Sequence, residues 1–215
     1  MLRALINLLL LFFLFIKTSI AYNIKYNGSE YHLRYIFLKD RYVIDNFTIT
    51  SLDVTDEIIN FEGLKSGLLY INNNNFSIQE ELICSGKAIF YPDKFTSEKI
   101  IKKLGDCEKQ AIKNNLGFWQ NNFKIYNYKD QLPEYNFIIY EGYVKNIFND
   151  NDFIKLNLDN KRLYLKVSKE IWKKFLQSYK KDDILSKKIS VKGWVTKNKI
   201  PYIVPLNQFM INIVE

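Results

Sequence analysis

Two capped helices in succession constrain the middle of this chain more than any other feature. Ser77 and Glu80 stand three residues apart, which is the spacing of a reciprocal capping box, and Gly86 supplies a left-handed stop for the helix they open. A short strand-like entry follows, then a turn at Pro92. Thr96 and Ser97 are candidate caps for a longer helix, with Glu98 at its positive end. Ile100, Ile101, Leu104, Cys107, Ala111 and Ile112 recur on one helical face, and Lys99, Lys102, Lys103, Lys109 and Lys113 occupy the others. That lysine face reads either as phosphate-facing or as simply solvated. Gly105 inside the pattern costs about 1 kcal/mol relative to Ala, so a kink or a close approach is expected there. Gly117-Phe118-Trp119 closes the unit. Trp119 is expected to bury most of its ring against the first half of the chain.

Strand patterns flank this unit. Tyr31–Leu52 is rich in β-branched and aromatic residues, with a turn near Lys39-Asp40, and Leu68–Ile71 is a short apolar run ended by the polar Asn72–Asn75 turn. Residues 121–136 read as a polar linker. Beyond it, Ile139–Ile147, Phe153–Leu158 and Arg162–Val167 form three runs separated by Asn/Asp turns. A helix is expected over Lys169–Tyr179, followed by strands at Ile189–Val195, Tyr202–Val204 and Phe209–Val214. Several short strands with one inserted helix suggest a small closed barrel of OB type.

The N-terminus reads as a leader over residues 1–21. Arg3 provides a short positive region, Leu8–Ile16 is an uncharged apolar run, and Ser19-Ile20-Ala21 is a small-x-small cleavage pattern. A cleaved signal peptide and an uncleaved anchor both fit, with Lys17 close to the cleavage site. An exported protein of the periplasm or the extracellular space is expected, not integral to the membrane after cleavage. The full chain carries 31 Lys+Arg against 23 Asp+Glu, a formal net charge of +8. Removing Arg3 and Lys17 with the leader leaves 29 against 23, or +6. A basic balance favours polyanionic partners, and compositional drift in a Lys/Asn/Ile-rich chain gives the same number. Cys84 and Cys107 form either a disulfide, permitted in an oxidising compartment, or two buried thiols. No Cys-x-x-Cys appears and His32 is the sole histidine, which argues against zinc or haem.

The Ser77–Trp119 unit resembles the C-terminal half of the thermonuclease (staphylococcal-nuclease-like) domain, in which an E-E-L-x-x-x-G helix precedes an aromatic strand and a charged helix ends in G-[LF]-W. The segment from Ser190 to Ile213, with Tyr140–Phe148 and Arg162–Val167, resembles the C-terminal domain that follows thermonuclease-like domains in exported α-proteobacterial proteins. The resemblance implies a mainly β, α+β fold: a reduced thermonuclease-like OB barrel with C-terminal helices over 22–120, then a second small OB-like barrel over 137–215. It also implies where catalysis would sit. The family uses carboxylates to hold Ca²⁺ and two arginines to neutralise charge on phosphorus. On this chain Asp53 matches the metal-ligand aspartate and Asp56 replaces the glutamate thought to act as base. Thr48 stands at the first arginine and Ser66 in the turn that carries the second. Asn27-Gly28-Ser29-Glu30 stands for the aspartate-rich motif, with Asp45-Asn46-Phe47-Thr48 as the alternative. Arg34 and Arg41 are the arginines available nearby. The catalytic set is degenerate.

The expected function is therefore non-enzymatic binding of single-stranded nucleic acid or another polyanion. The candidate residues are the interleaved aromatics and lysines Tyr143, Lys145, Phe153, Lys155, Tyr164, Lys166, Lys192 and Trp194, since bases stack on rings while lysines track phosphates. An envelope protein-interaction module is the alternative. An active nuclease with Ca²⁺ at Asp53 and Asp56 is the second alternative, and otherwise no cofactor is expected.

Overall fold

The computed structural model describes residues 22–38, 48–59, 63–120, 123–159, 162–177, 179–196 and 199–214. The leader reading, the Lys39-Asp40 turn, Arg41 and Asp45-Asn46-Phe47 lie outside the described residues. Among the described residues the fold is mixed α and β, and most of it is sheet.

In the first half, β1 (Asn23–Tyr26) and β2 (Ser29–Leu33) form a hairpin through Asn27 and Gly28, both at positive φ. Asn-Gly is the favoured pair for a two-residue turn whose twist matches its strands. β3 (Ile36–Phe37) pairs with β6 (Ile89–Phe90), and β4 (Leu52–Ile59) pairs antiparallel with β5 (Lys65–Ile71). The four-stranded sheet runs β1-β2-β5-β4, with β2 and β5 parallel. The long strand pattern expected over Tyr31–Leu52 is thus broken: Thr48–Ser51 is irregular, and the strand begins at Leu52 and continues through Ile59.

Two helices pack on this sheet. α1 (Ile78–Cys84) carries the capping box, with Ser77 accepting from the Glu80 backbone and Glu80 accepting from that of Ser77. Gln79 is fully buried; its Oε1 accepts from Leu69 N at 3.1 Å and its Nε2 donates to Gly67 O at 2.6 Å, which pins α1 to β5. α2 (Glu98–Lys113) is capped by Ser97, while Thr96 donates to Asp93 instead. Lys103 of α2 meets the buried Glu80 of α1 at 2.8 Å, and the Cys84–Cys107 disulfide joins the same two helices. No close approach requires glycine at Gly105: a Cβ there would meet only the Phe90 ring at 4.0 Å, and α2 continues through it.

The Gly117 motif has a specific cause. Gly86, at φ 70°, lies so close to the chain after α2 that a Cβ on it would sit 2.1 Å from Leu116 O, and a Cβ on Gly117 would sit 2.4 Å from Gly86 O. Phe118 N donates to Gly86 O at 2.8 Å across this contact. Trp119 lies in a single 3-10 turn after α2; it is mostly buried, as expected, with its Nε1 enclosed, and packs on Phe123 with ring centroids 5.8 Å apart.

The second half is a closed ring of strands. β8 (Phe137–Asn149), β9 (Phe153–Leu158), β10 (Leu163–Ser168), β11 (Lys188–Thr196) and β12 (Tyr202–Ile203) connect in the order β8-β9-β10-β12-β11, and β11 pairs back to β8. β10 and β12 are parallel and the other pairs of the ring antiparallel. The expected linker is partly sheet, because β7 (Ile125–Tyr126) runs parallel to β8 and Tyr126 packs on the core. β13 (Ile211–Ile213) extends β11. α3 (Lys169–Phe175) and the short α4 (Lys181–Ile184) lie between β10 and β11. α3 buries Ile171, Trp172 and Phe175; it stops short of Tyr179, whose ring packs on Phe175 at 5.0 Å.

The two halves meet along an aromatic seam. Phe37 stacks on Phe137 at 4.1 Å, and Tyr91 and Trp194 meet Phe137 edge-on at 5.4 and 6.0 Å. Polar contacts flank the rings. Lys192 pairs with Glu108 at 2.6 Å, and Asn207 donates to Asp93 O at 2.8 Å. Asp93 in turn takes Arg34 in a two-point grip at 2.6 and 2.9 Å.

The disulfide closes a loop of 23 residues. Loop-closure entropy then makes the oxidised protein about 3 kcal/mol more stable than a Cys84→Ser/Cys107→Ser variant. Urea unfolding of the two proteins measures the difference, and equal midpoints would contradict it.

Candidate nucleic-acid interface

Side chains alternate across a strand, so β9 and β10 each offer one face to the barrel core and one to solvent. Ile154, Leu156 and Leu158, with Leu163, Leu165 and Val167, fill the core. The opposite face carries Phe153, Lys155, Tyr164 and Lys166. The register sets Lys155 directly across from Lys166, and Phe148 of β8 directly across from Lys155. Phe148 is 47% exposed and Phe153 36%, which leaves ring area free for stacking. Four of the sequence candidates, Phe153, Lys155, Tyr164 and Lys166, therefore share one outward patch, and Phe148 joins them.

Like charges placed directly opposite on a sheet repel. Here that repulsion is tempered on both sides. Asp150, in the β8–β9 turn, pairs with Lys155, and the lysine holds its carboxyl below the usual carboxylate range. Lys166 lies over the Tyr202 ring at 3.7 Å from the centroid. Burial lowers the Lys166 pKa, the neighbouring Lys155 charge lowers it further, and Asp150 opposes both.

Tyr143 and Lys145 lie elsewhere. Both are exposed on β8, Tyr143 before its bulge and Lys145 as the extra residue within it, with Lys145 Nζ 5.5 Å from the Tyr143 ring. At about 3.3 Å per residue, Tyr143 is ~16 Å along the strand from Phe148. Lys192 and Trp194 are corrections. Lys192 is 7% exposed and bonded to Glu108, and Trp194 is packed against Phe37 and Phe137. Both belong to the seam between the halves, because β11 turns that side toward α2 and β3.

The residues expected to form a nuclease centre do not converge. Thr48 lies outside the sheet, its carbonyl accepting from Asn72 at 2.8 Å. Ser66 is in strand β5 instead of a turn; it is 1% exposed and donates to Ile58 O at 3.2 Å. Asp53 and Asp56 are exposed on β4, with Asp56 at φ 53° in the bulge between Thr55 and Ile58. Among the described residues no three His, Cys, Asp or Glu side chains gather to hold a cation. Arg34, the described arginine of that region, is committed to Asp93 and 7% exposed.

Sequence reasoning missed Phe148, Asp150 and Tyr202. Counting alternation from Tyr143 through Lys145 and Ile147 puts Phe148 on the inner face. The bulge between Val144 and Asn146 shifts the count, so that Ile147 packs on the core and Phe148 faces out. Asp150 was legible as the residue opening an Asn/Asp turn next to the lysine strands. The chain matches no family model and no curated protein. Among the described residues no helix is long and apolar enough to cross a membrane.

The position of Lys192 has a measurable consequence. Removing one partner of a buried ion pair leaves an uncompensated charge, at a cost of about 3–5 kcal/mol. Lys192→Met is expected to lower unfolding stability by that amount. A loss within about 0.5 kcal/mol, as at an ordinary surface site, would place Lys192 back on the exposed barrel face.

Proposed function

We propose that this is an exported, non-catalytic protein that binds single-stranded nucleic acid, or a polyanion of similar spacing, on the outer face of β9 and β10. The observation that carries the reading is the directly opposed Lys155–Lys166 pair, set beside the exposed rings of Phe148 and Phe153. Stacking on aromatic rings is sequence-tolerant, worth about 1–3 kcal/mol per base, and lysines add the phosphate term. The ring order supports reading the second half as an OB-like barrel: three meandering strands, a helix before the fourth, and a fifth parallel to the third. Barrels of that type bind oligonucleotides on the face of their second and third strands, here β9 and β10.

The first half fits a reduced thermonuclease-like unit whose chemistry has been lost. Arg34 is held by Asp93, and among the described residues Asp53 and Asp56 belong to no group of three acids able to hold a cation. Oriented charge donors contribute about 10²–10³ each in rate, so losing them leaves little activity. A second reading, an envelope protein partner, draws support from Ile58 and Ile59, which are 39% and 69% exposed on β4.

Labelled oligothymidylate followed by fluorescence anisotropy tests the proposal. Binding at low salt is expected to be micromolar, with a log–log salt slope of about −3 if four phosphates are engaged. Lys155→Ala/Lys166→Ala flattens the slope, and Lys145→Ala leaves it unchanged. In millimolar Ca²⁺ the same oligonucleotide stays intact. Absence of binding at low salt would favour the protein-partner reading, and Ca²⁺-dependent cleavage lost in Asp53→Ala would restore the nuclease reading.

A further inference from the structure

Midway along β8, just before its bulge, lies a cleft that the polyanion face does not use. Its volume is about 400 Å³, and it opens between the β7–β8 connection and the barrel wall. That volume falls within the about 300–1,000 Å³ of small-molecule sites. Its lining combines two exposed aromatic rings, Tyr128 and Tyr143, with a polar floor of Asn127, Glu141 and Asp159. Gly142 makes room for that floor: a Cβ there would sit 2.2 Å from Asp159 Oδ2. The Asp159 carboxylate is fixed from two sides, by Tyr140 OH at 2.8 Å and Tyr143 N at 3.0 Å.

Charge separates this cleft from the lysine face. Glu141 and Lys188 pair with each other at 3.0 Å, and the remaining lining charges, Asp159 and Lys129, are opposite in sign. A balanced lining gives a polyanion no net attraction. It does offer acceptors and donors in fixed places beside apolar rings. A ligand that matches must both donate and accept at several points and also present a flat C–H surface. From this geometry we infer that the cleft is a binding site for a neutral, hydroxyl-rich ring ligand, one or two sugar units in size. Hydroxyls satisfy both the carboxylates and the lysine ammonium groups, and the ring's C–H face packs on tyrosine. Binding of a small polar ligand to so open a surface is expected to be weak, on the order of millimolar.

The test is a titration of the ¹⁵N-labelled full chain with maltose, cellobiose or N,N′-diacetylchitobiose, read as amide shifts. At least one disaccharide is expected to give saturable shifts at Asn127, Glu141, Gly142 and Asp159. Tyr128→Ala and Tyr143→Ala, both at exposed positions, are each expected to weaken that binding about tenfold, one 1.4 kcal/mol step. Lys155→Ala/Lys166→Ala, which removes the polyanion face, is expected to leave it unchanged. The inference is overturned if none of the three sugars gives saturable shifts. It is equally overturned if both tyrosine variants bind as the parent does, or if oligothymidylate displaces the sugar from the cleft.

Discussion

The bulge in β8 is the constraint on which the rest of the structure depends. Over its first half, β8 pairs with β11 from Phe137↔Trp194 to Tyr143↔Lys188. Over its second half it pairs with β9, from Val144↔Leu158 to Asn149↔Ile154. One strand of 13 residues thus serves two neighbours and closes the ring. An extra residue in one strand bends it and re-aims the side chains that follow. Before the bulge, Tyr140, Gly142 and Val144 face the core and Tyr143 faces out. After it, Ile147 faces the core and Phe148 moves to the lysine face.

The same closure builds the seam between the halves. Pairing Phe137 with Trp194 places two large rings side by side at one end of the ring, where Phe37 and Tyr91 from the first half pack on them. Aromatic pairs of this kind contribute roughly 0.5–1.5 kcal/mol each beyond their burial. Lys192, two residues before Trp194, then points at Glu108 of α2, whose other oxygen accepts from Phe90 N at 2.8 Å. A carboxylate shared between a strand amide and a lysine from the other half resists sliding of one half on the other. The lysines therefore divide by role: Lys192 and Lys103 hold the fold, while Lys155 and Lys166 face solvent.

What was legible in the sequence was local. The Ser77–Glu80 capping box, the Ser97 cap and the Gly86 stop each depend on residues within a few positions, and all appear as expected. The alternation in Phe153–Leu158 and Leu163–Val167 located β9 and β10 almost to the residue, and with them four of the five residues of the outward patch. What failed was non-local. Lys192 reads as an exposed strand lysine because Glu108, 84 positions away, becomes its partner only on folding. Trp194 reads as a free ring for the same reason. β4 was missed because Asp53, Asp56 and Glu57 interrupt its pattern and the bulge shifts its register. Asn27-Gly28, which the resemblance aligns with a catalytic motif, is a hairpin turn between β1 and β2. The sequence alone leaves the disulfide open, because the proximity of Cys84 and Cys107 follows from how α1 crosses α2.

The proposal that carries the account is a polyanion site across β9 and β10. The most direct measurement is a solution map of amide and aromatic shifts on adding an unlabelled thymidine oligomer to the ¹⁵N,¹³C-labelled protein. The account predicts that the perturbed resonances cluster at Phe148, Phe153, Lys155, Tyr164 and Lys166, with Lys192, Trp194 and the β4 acids unmoved. Perturbations centred on Asp53–Glu57 or on the seam residues, with the β9–β10 face silent, would contradict it.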